Sequence, residues 1–281
     1  MSKTEICTPT LHDGIVLRQE RPGDHYAVEA LTREAFWHIF WSANQQICDE
    51  HLLVHKLRKS PAYVPELNYV AELDGKLVGH IIYAISKIVD SSGKSYDMLT
   101  FGPLSVHPDY QGRGIGKALM RHTFEIAKEM GHRAIIIFGH SDYYPRMGFR
   151  PAAEFGLLTS DGMTFDPFMA YLLYDGALDG IQGRYYLPPV YESLTQEEAL
   201  EFDKRFPPKP LHRPASMDVL LKWLEPAAKK AIRALKFHCL AVMQTKSERE
   251  ILALKGIDAK AIETIQAVMR EHSLRWGTSR N

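Results

Sequence analysis

The chain has 281 residues, 45% of them hydrophobic, enough for one large or two ordinary domains with a full core. Its 34 Lys and Arg balance 34 Asp and Glu, but residues 208–281 hold 14 of the former against 7 of the latter, so an acidic front is joined to a basic tail. Cys7, Cys48 and Cys239 are too scattered for a disulfide framework or a zinc knuckle, and neither a signal peptide nor a run of about eighteen apolar residues is present, which predicts a soluble protein of a reducing cytoplasm.

Taken in order, residues 15–19 read as a strand and Arg21 to Asp24 as a turn, with Asp24 placed to cap a helix whose apolar stripe is Ala27, Leu31, Ala35 and Phe36. A second helix is expected from Ile47 to Leu57, ending before Ser60-Pro61. Residues 68–73 and 76–86 flank Asp74-Gly75, a dipeptide suited to the type I′ turn of a tight hairpin. Residues 90–94 make a second hairpin into a strand that ends at Val106. Beyond a glycine-rich turn, Ile115, Ala118, Leu119, Ile126, Ala127 and Met130 fall at helical spacing and leave Arg121, Lys128 and Glu129 outside. A strand at 133–139 then adds a parallel neighbour to three antiparallel ones, giving a mixed α/β sheet.

Further strands are expected from Arg150 and over residues 167–174, whereas 175–192, with three glycines and two prolines, reads as irregular. Thr195 and Glu198 form a capping-box pattern for a helix to about Phe206, which Pro207, Pro208 and Pro210 stop. The remainder reads as helical. Ser216 caps a helix carrying Val219, Leu220 and Trp223, and another helix follows Pro226. Ser247 to Glu250 is a second capping box, Gly256 breaks the chain, and Asp258 caps a last helix through Met269. The domains are therefore set at residues 1–190, a linker at 191–212, and a helical domain at 213–281.

The glycine-rich turn carries the chemistry. Gly112, Gly114 and Gly116 remove Cβ atoms that would keep a ligand from the main chain, and they allow backbone angles that other residues avoid. A helix start offers four N–H groups without internal partners and roughly half a positive charge, a setting for a phosphate or pyrophosphate that Arg113 and Lys117 reinforce. The plainer alternative is a turn that merely packs tightly. A P-loop is excluded by Gln111 and Ala118, and a dinucleotide fingerprint by Lys117.

Gln111-Gly-Arg-Gly114-Ile-Gly116, preceded by Val106-His107-Pro108 and followed in order by Tyr144-Pro-Arg-Met-Gly148-Phe149, resembles the acetyl-CoA signature and the Tyr-x-x-hydrophobic-Gly-Phe pattern of the GNAT superfamily of N-acetyltransferases. The resemblance spans roughly residues 14–190, and residues 167–183 are similar to a bacterial branch of predicted acetyltransferases. It implies a GNAT-type mixed central sheet flanked by helices (α/β, α+β) and acetyl-CoA as cosubstrate. The pyrophosphate would lie on Gln111, Gly112, Arg113, Gly114, Ile115, Gly116 and Lys117, and the pantetheine arm along Leu104, Ser105 and Val106. The amide near Val106 would polarise the thioester carbonyl, and Tyr144 would protonate the departing thiolate. Tyr143 is adjacent and able to substitute; a structural Tyr144 packed on Phe149 is the alternative. The segment from Gly139 to Tyr144 is shorter than is usual for the family.

The first two helices would close over the acceptor, a primary amine of a small molecule or protein, so Trp37, His38, Phe40, Trp41 and His55 are candidates for its pocket or for the core. His80, His140, Glu72 and Asp142 are the candidate bases, and His107 a turn residue. No metal-ligand spacing occurs and none is needed. Residues 227–277 resemble the C-terminal domain of the bacterial RNA polymerase α subunit, with a helix-hairpin-helix at 251–265. Lys230, Arg233, Lys255 and Lys260 would meet DNA phosphates, although Asp258 stands where the motif has a second glycine; protein docking or dimerisation is the other use. A CoA-binding regulator without turnover, docked to DNA or polymerase through this domain, is the alternative to an enzyme.

Overall fold

The computed structural model describes residues 14–37, 39, 45–140, 143–211, 215–237, 239–272, 274 and 276. Its elements begin β1 (Val16–Gln19), α1 (His25–Phe36), α2 (Glu50–Leu57), β2 (Tyr69–Leu73), β3 (Lys76–Val89), β4 (Ser95–Val106), α3 (Ile115–Glu129) and β5 (Ala134–Phe138). They continue with β6 (Arg150–Pro151), β7 (Leu157–Thr159), β8 (Phe168–Leu172), β9 (Gly183–Tyr186) and α4 (Gln196–Asp203). The strands form one sheet in the order β1-β2-β3-β4-β5-β8-β6, with β9 pairing β3 and β7 off that path. All neighbours on the main path are antiparallel except β4 and β5.

The β2–β3 hairpin closes as expected, Asp74 and Gly75 both taking positive φ (49° and 78°) as a type I′ turn demands. Three expectations are corrected. Asp24 does not cap α1: its carboxylate accepts from the Arg21 N–H (2.7 Å) and from the Arg18 guanidinium (2.6 and 3.0 Å), which outcompete the helix amides. The second helix starts at Glu50 rather than Ile47. Residues 175–192 are not wholly irregular, because β9 runs antiparallel to Lys87–Val89 of β3 and parallel to β7. Gly183 permits this: a Cβ there would collide with the Val89 backbone.

Alternation along the central strands buries both faces of the sheet. Ile81, Tyr83, Leu99, Phe101, Ile135 and Ile137 meet Ile115, Leu119, Phe124 and Ala127 of α3. Gly79 seats that helix, since a Cβ on it would lie 2.7 Å from Ile115 and 3.1 Å from Leu119. On the other face Val70, Ile82 and Ala84 meet Val28 of α1 and Val54 and Leu57 of α2. Below α1 and α2 the polar groups are paired in turn. Arg58 joins Glu20 and Glu29, and Asn68 links Glu20, Tyr63 and His80. Helix α4, capped by the Thr195 hydroxyl accepting from the Glu198 N–H (3.2 Å), straps the outside of this pair. Asp203 accepts from Arg33 at 2.5 and 2.8 Å, and Lys56 reaches Glu198 at 2.8 Å.

The described residues of 1–37 and 49–206 make one compact unit, and those of 38–48 and 207–281 a second. The second contains α5 (Asp218–Leu221), α6 (Pro226–Ala234), α7 (Glu248–Leu252) and α8 (Ala259–Glu271) around Leu220, Ile232, Leu240, Met243, Ile251, Ile265 and Met269. Ser247 and Glu250 cap α7 reciprocally, and Asp258 caps α8 by accepting from the Ala261 N–H at 2.8 Å. Gly256, at φ 98°, turns the chain between them. Among the described residues no helix is long and apolar enough to cross a membrane.

Candidate active site

β4 and β5 share a single registered pair, Leu99 with Ile135, and beyond it β4 runs on to Val106 and β5 to Phe138 with no further pairing. The two parallel strands therefore part above that pair, and the backbone edge of β4 facing β5 is left without a strand partner. On its other edge β4 stays tied to β3, with Val106, Ser105 and Leu104 opposite Gly79, His80 and Ile81. Pleating then sorts the three expected pantetheine-binding residues. The Ser105 hydroxyl donates to the Thr32 hydroxyl of α1 at 3.0 Å, whereas Leu104 and Val106 turn the opposite way, each reaching 3.6 Å from where a Gly116 Cβ would stand.

The glycine-rich turn grows from that strand end. The His107 N–H donates to the Val78 carbonyl (3.0 Å), its ring accepts from the Asp109 N–H (3.3 Å), and the Gln111 side chain donates to the Val106 carbonyl (3.2 Å). His107 is thus a turn residue, as expected. Gly112 (φ 77°) and Gly114 (φ 79°) are left-handed, and nothing lies within 4 Å of a Cβ at either, so what they supply is conformation and an open approach. Gly114 is the N-cap of α3 and offers no side chain to its free amides, nor does the first turn of α3 carry an acid. Ile115 and Gly116 are buried as whole residues, Ile115 packing into the core, so the exposed part of the turn is Gly112, Arg113 and Gly114. Arg113 lies exposed at the mouth, 5.1 Å from the Tyr110 ring, and Lys117 is half-buried. A helix mouth that is bare, cationic and free of carboxylates suits a multiply charged phosphate.

Tyr143 and Tyr144 hang from one point, both N–H groups donating to the His140 carbonyl (3.0 and 3.2 Å), with their rings edge-on at 5.1 Å. Tyr144 lies on the floor between β4 and β5: its ring rests on the Gly139 backbone and contacts Phe101 (5.9 Å) and Phe149 (5.4 Å). Burial, with smaller effects of Tyr143 and Glu50, pushes its phenol well above the usual range. Tyr143 is 38% exposed and is also raised by burial. Its hydroxyl lies 3.3 Å from the same virtual Gly116 Cβ that Leu104 and Val106 approach.

The candidate bases are not brought together. His80 is fully buried under the sheet, where Nε2 pairs with the Asn68 side chain (2.7 Å), and burial with the nearby Arg58 charge holds it well below its usual range. Glu72 is engaged by Arg18 at the β1–β2 edge (2.7 Å). His140 is exposed beside the tyrosine turn. Asp142, His38, Phe40 and Trp41 lie outside the described residues. Trp37 is buried with Arg33 over its ring at 4.4 Å, and His55 pairs with Glu29 (2.9 Å) and packs on Phe202, so both belong to the strapped helix pair. Sequence reading missed Glu50, whose charge raises both Tyr144 and Tyr191, and Tyr191, whose hydroxyl donates to the Gly102 carbonyl of β4 (3.1 Å). Neither sits in a motif. No cluster of metal-ligating side chains occurs among the described residues.

Residues 33–149 match the sequence model of the Acetyltransferase (GNAT) family. Two relatives of Escherichia coli K12 carry the name uncharacterized N-acetyltransferase. YjhQ is 37% identical over 36% of this chain and 55% of its own length, so the chain spans little more than half of it; YhbS is 29% identical over 60% of this chain and 93% of its own. The crystal structure of Escherichia coli YhbS in complex with CoA superposes with a TM-score of 0.55 at 26% identity, covering 69% of this chain and 98% of that one. A GNAT family acetyltransferase from Brucella melitensis in complex with acetyl-CoA gives 0.51 at 27%, covering 64% and 99%.

Proposed function

We propose that the chain, whose residues 33–149 match the GNAT acetyltransferase family, moves the acetyl group of acetyl-CoA onto a primary amine of a small molecule or protein by direct attack on the thioester. The observation that carries this reading is the open mouth of α3 beside the gap where β4 and β5 part. Residues 1–190 would be the core of the catalytic domain and 213–281 a separate helical domain; of the expected linker 191–212, the stretch carrying α4 packs on the first unit.

The residues divide the work by chemistry. Amides of Gly112 to Lys117, with Arg113 and Lys117, receive the diphosphate. The free edge of β4 at Leu104 to Val106 offers main-chain partners to the amides of pantetheine, and an N–H near Val106 polarises the carbonyl as the oxyanion develops. The neutral amine attacks that carbon, the C–S bond breaks, and a phenol of the Tyr143-Tyr144 pair, Tyr144 by its place in the family pattern, returns a proton to sulfur. A phenol, with an ordinary pKa of about 10, is matched to a thiolate. The ammonium proton leaves through water.

Docking of residues 213–281 to DNA as a helix-hairpin-helix, with or without catalysis, finds less support. Asp258 already occupies an amide at the mouth of α8 and brings a negative charge to it. Calorimetry with acetyl-CoA tests the main reading. The wild type should give a binding isotherm and the Arg113→Ala/Lys117→Ala double variant one weakened about tenfold or more, as expected for lost charge-assisted contacts. A wild type that gives no heat rules the reading out.

A further inference from the structure

A cosubstrate that enters from the mouth of α3 leaves the opposite side of the sheet to the acceptor, and that side is aromatic where it meets the gap. Alternation along β5 puts Ile135 and Ile137 under α3 and turns Ile136 and Phe138 the other way. Phe138 ends β5, beyond Ile135 where that strand leaves β4, so its ring belongs to the wall of the gap. It is supported from beneath. Phe168, across the β5–β8 pair and fully buried, stacks on it at 5.2 Å, and Tyr185, whose hydroxyl donates to the Ile136 carbonyl at 3.1 Å, meets it at 6.0 Å. Phe165, from the loop before β8, lies nearly parallel to it at 5.7 Å and 14°. Yet Phe138 is 43% exposed and Phe165 39%. A single bare ring is ordinary on a protein surface, but two held in register over a buried aromatic layer make a flat apolar platform that a ligand would shield from water. Negative charge lies on the same side of the molecule as α2: Glu50, at its start, acts on the phenols of Tyr144 and Tyr191, and the Tyr191 hydroxyl donates to the Gly102 carbonyl of β4 at 3.1 Å. A ligand that suits both features is flat and apolar at one end and cationic at the other.

We propose that the acceptor is an arylalkyl primary amine, whose ring stacks on Phe138 and Phe165 while its amino group points over the gap toward the start of α2. This deepens the acetyltransferase reading above and rests on it. The bonds exchanged are unchanged: the amine nitrogen bonds to the carbonyl carbon, the C–S pair goes to sulfur, and the proton lost from nitrogen balances the one gained by the thiol. Phe138 and Phe165 take no part in that exchange; they decide which amine is held long enough to undergo it. Ring-on-ring contact adds to area burial, so the platform separates an aromatic ring from a saturated one of similar size by about three- to tenfold.

Release of free CoA from acetyl-CoA, measured with 3-phenylpropylamine, 3-cyclohexylpropylamine and 1,4-diaminobutane and compared per neutral amine, tests the assignment. The wild type should favour the phenyl over the cyclohexyl amine by about fivefold in kcat/KM, with the diamine below both. Phe138→Leu and Phe165→Leu, which keep apolar bulk but offer no ring face, should each bring the phenyl-to-cyclohexyl ratio close to one, with the loss in KM rather than in kcat. Calorimetry with acetyl-CoA, retained in both variants, shows that the fold and the cosubstrate site survive; should Phe138→Leu lose it because the ring underlies part of the core, the more peripheral Phe165→Leu decides. The assignment is overturned if the wild type treats the phenyl and cyclohexyl amines alike, prefers the diamine, or binds acetyl-CoA and acetylates none of the three. It is overturned equally if both leucine variants keep the preference. A wild type that binds no acetyl-CoA instead removes the acetyltransferase reading itself, and the acceptor assignment with it.

Discussion

Three glycines that look alike in the sequence have different jobs in the fold. Gly112 and Gly114 face open space and are fixed by left-handed backbone angles, whereas Gly116 is fixed by what surrounds its missing side chain. A left-handed angle costs a residue with a Cβ about 1–2 kcal/mol, so Gly114→Ala should lower stability by about 1 kcal/mol in urea unfolding. The same change distorts the amides at the helix mouth. The stabilisation conferred by saturating acetyl-CoA should therefore shrink more than the stability of the free protein does. Equal losses with and without ligand would show that the turn is structural only. The glycine-rich turn and the helix start after it were legible because their spacing is local: Gln111 to Lys117 span seven positions of the chain. Where the Tyr144 ring settles was not, since it packs on Phe101 of β4, far back in the chain, as well as on the nearby Phe149.

Elements repeat this division. The apolar stripe of α3, the type I′ hairpin and the caps of α4, α7 and α8 were readable, because each depends on contacts within a few residues. β9 escaped because four residues amid glycines and prolines carry no periodicity of their own and are held by β3 nearly a hundred positions earlier. The strap made by α4 escaped for the same reason: Arg33 and Asp203 are 170 residues apart. Burial raises the Asp203 carboxyl, but the close His51 ring (3.2 Å) and the hydrogen bonds and charge of Arg33 outweigh it and hold the group below its ordinary value. A carboxyl depressed in the folded state contributes stability that is complete above its unfolded pKa of about 3.9 and is lost as pH falls through the folded value. Asp203→Asn, which leaves the Arg33 guanidinium without its charged partner, should cost about 2 kcal/mol at pH 7. The deficit should narrow steadily below about pH 4. Urea unfolding of the two proteins across that range would show it, and a deficit independent of pH would mean that packing rather than charge holds the strap.

On the scale of the whole molecule, the neutral sum of charges conceals a basic tail, and that asymmetry invites a nucleic-acid reading that the local geometry resists. Lys255 and Lys260 flank the turn between α7 and α8, yet the amide a phosphate would use first, that of Ala261, is taken by Asp258. Phosphate neutralisation by a few lysines gives affinity that falls steeply with salt and carries no sequence preference. The full chain should accordingly bind a short duplex only at low ionic strength in an anisotropy titration. Asp258→Asn keeps a side-chain oxygen for the cap while removing the opposing charge, and it should tighten that binding by several-fold. If the substitution changes nothing, the turn is not where DNA touches. If the wild type fails to bind even at low salt, the basic surface serves another partner, and the resemblance to a polymerase subunit domain extends to apolar spacing alone. The helices of this second unit were legible for a related reason: short capped helices announce themselves in sequence, whereas what their outer faces touch depends on the placement of single charges.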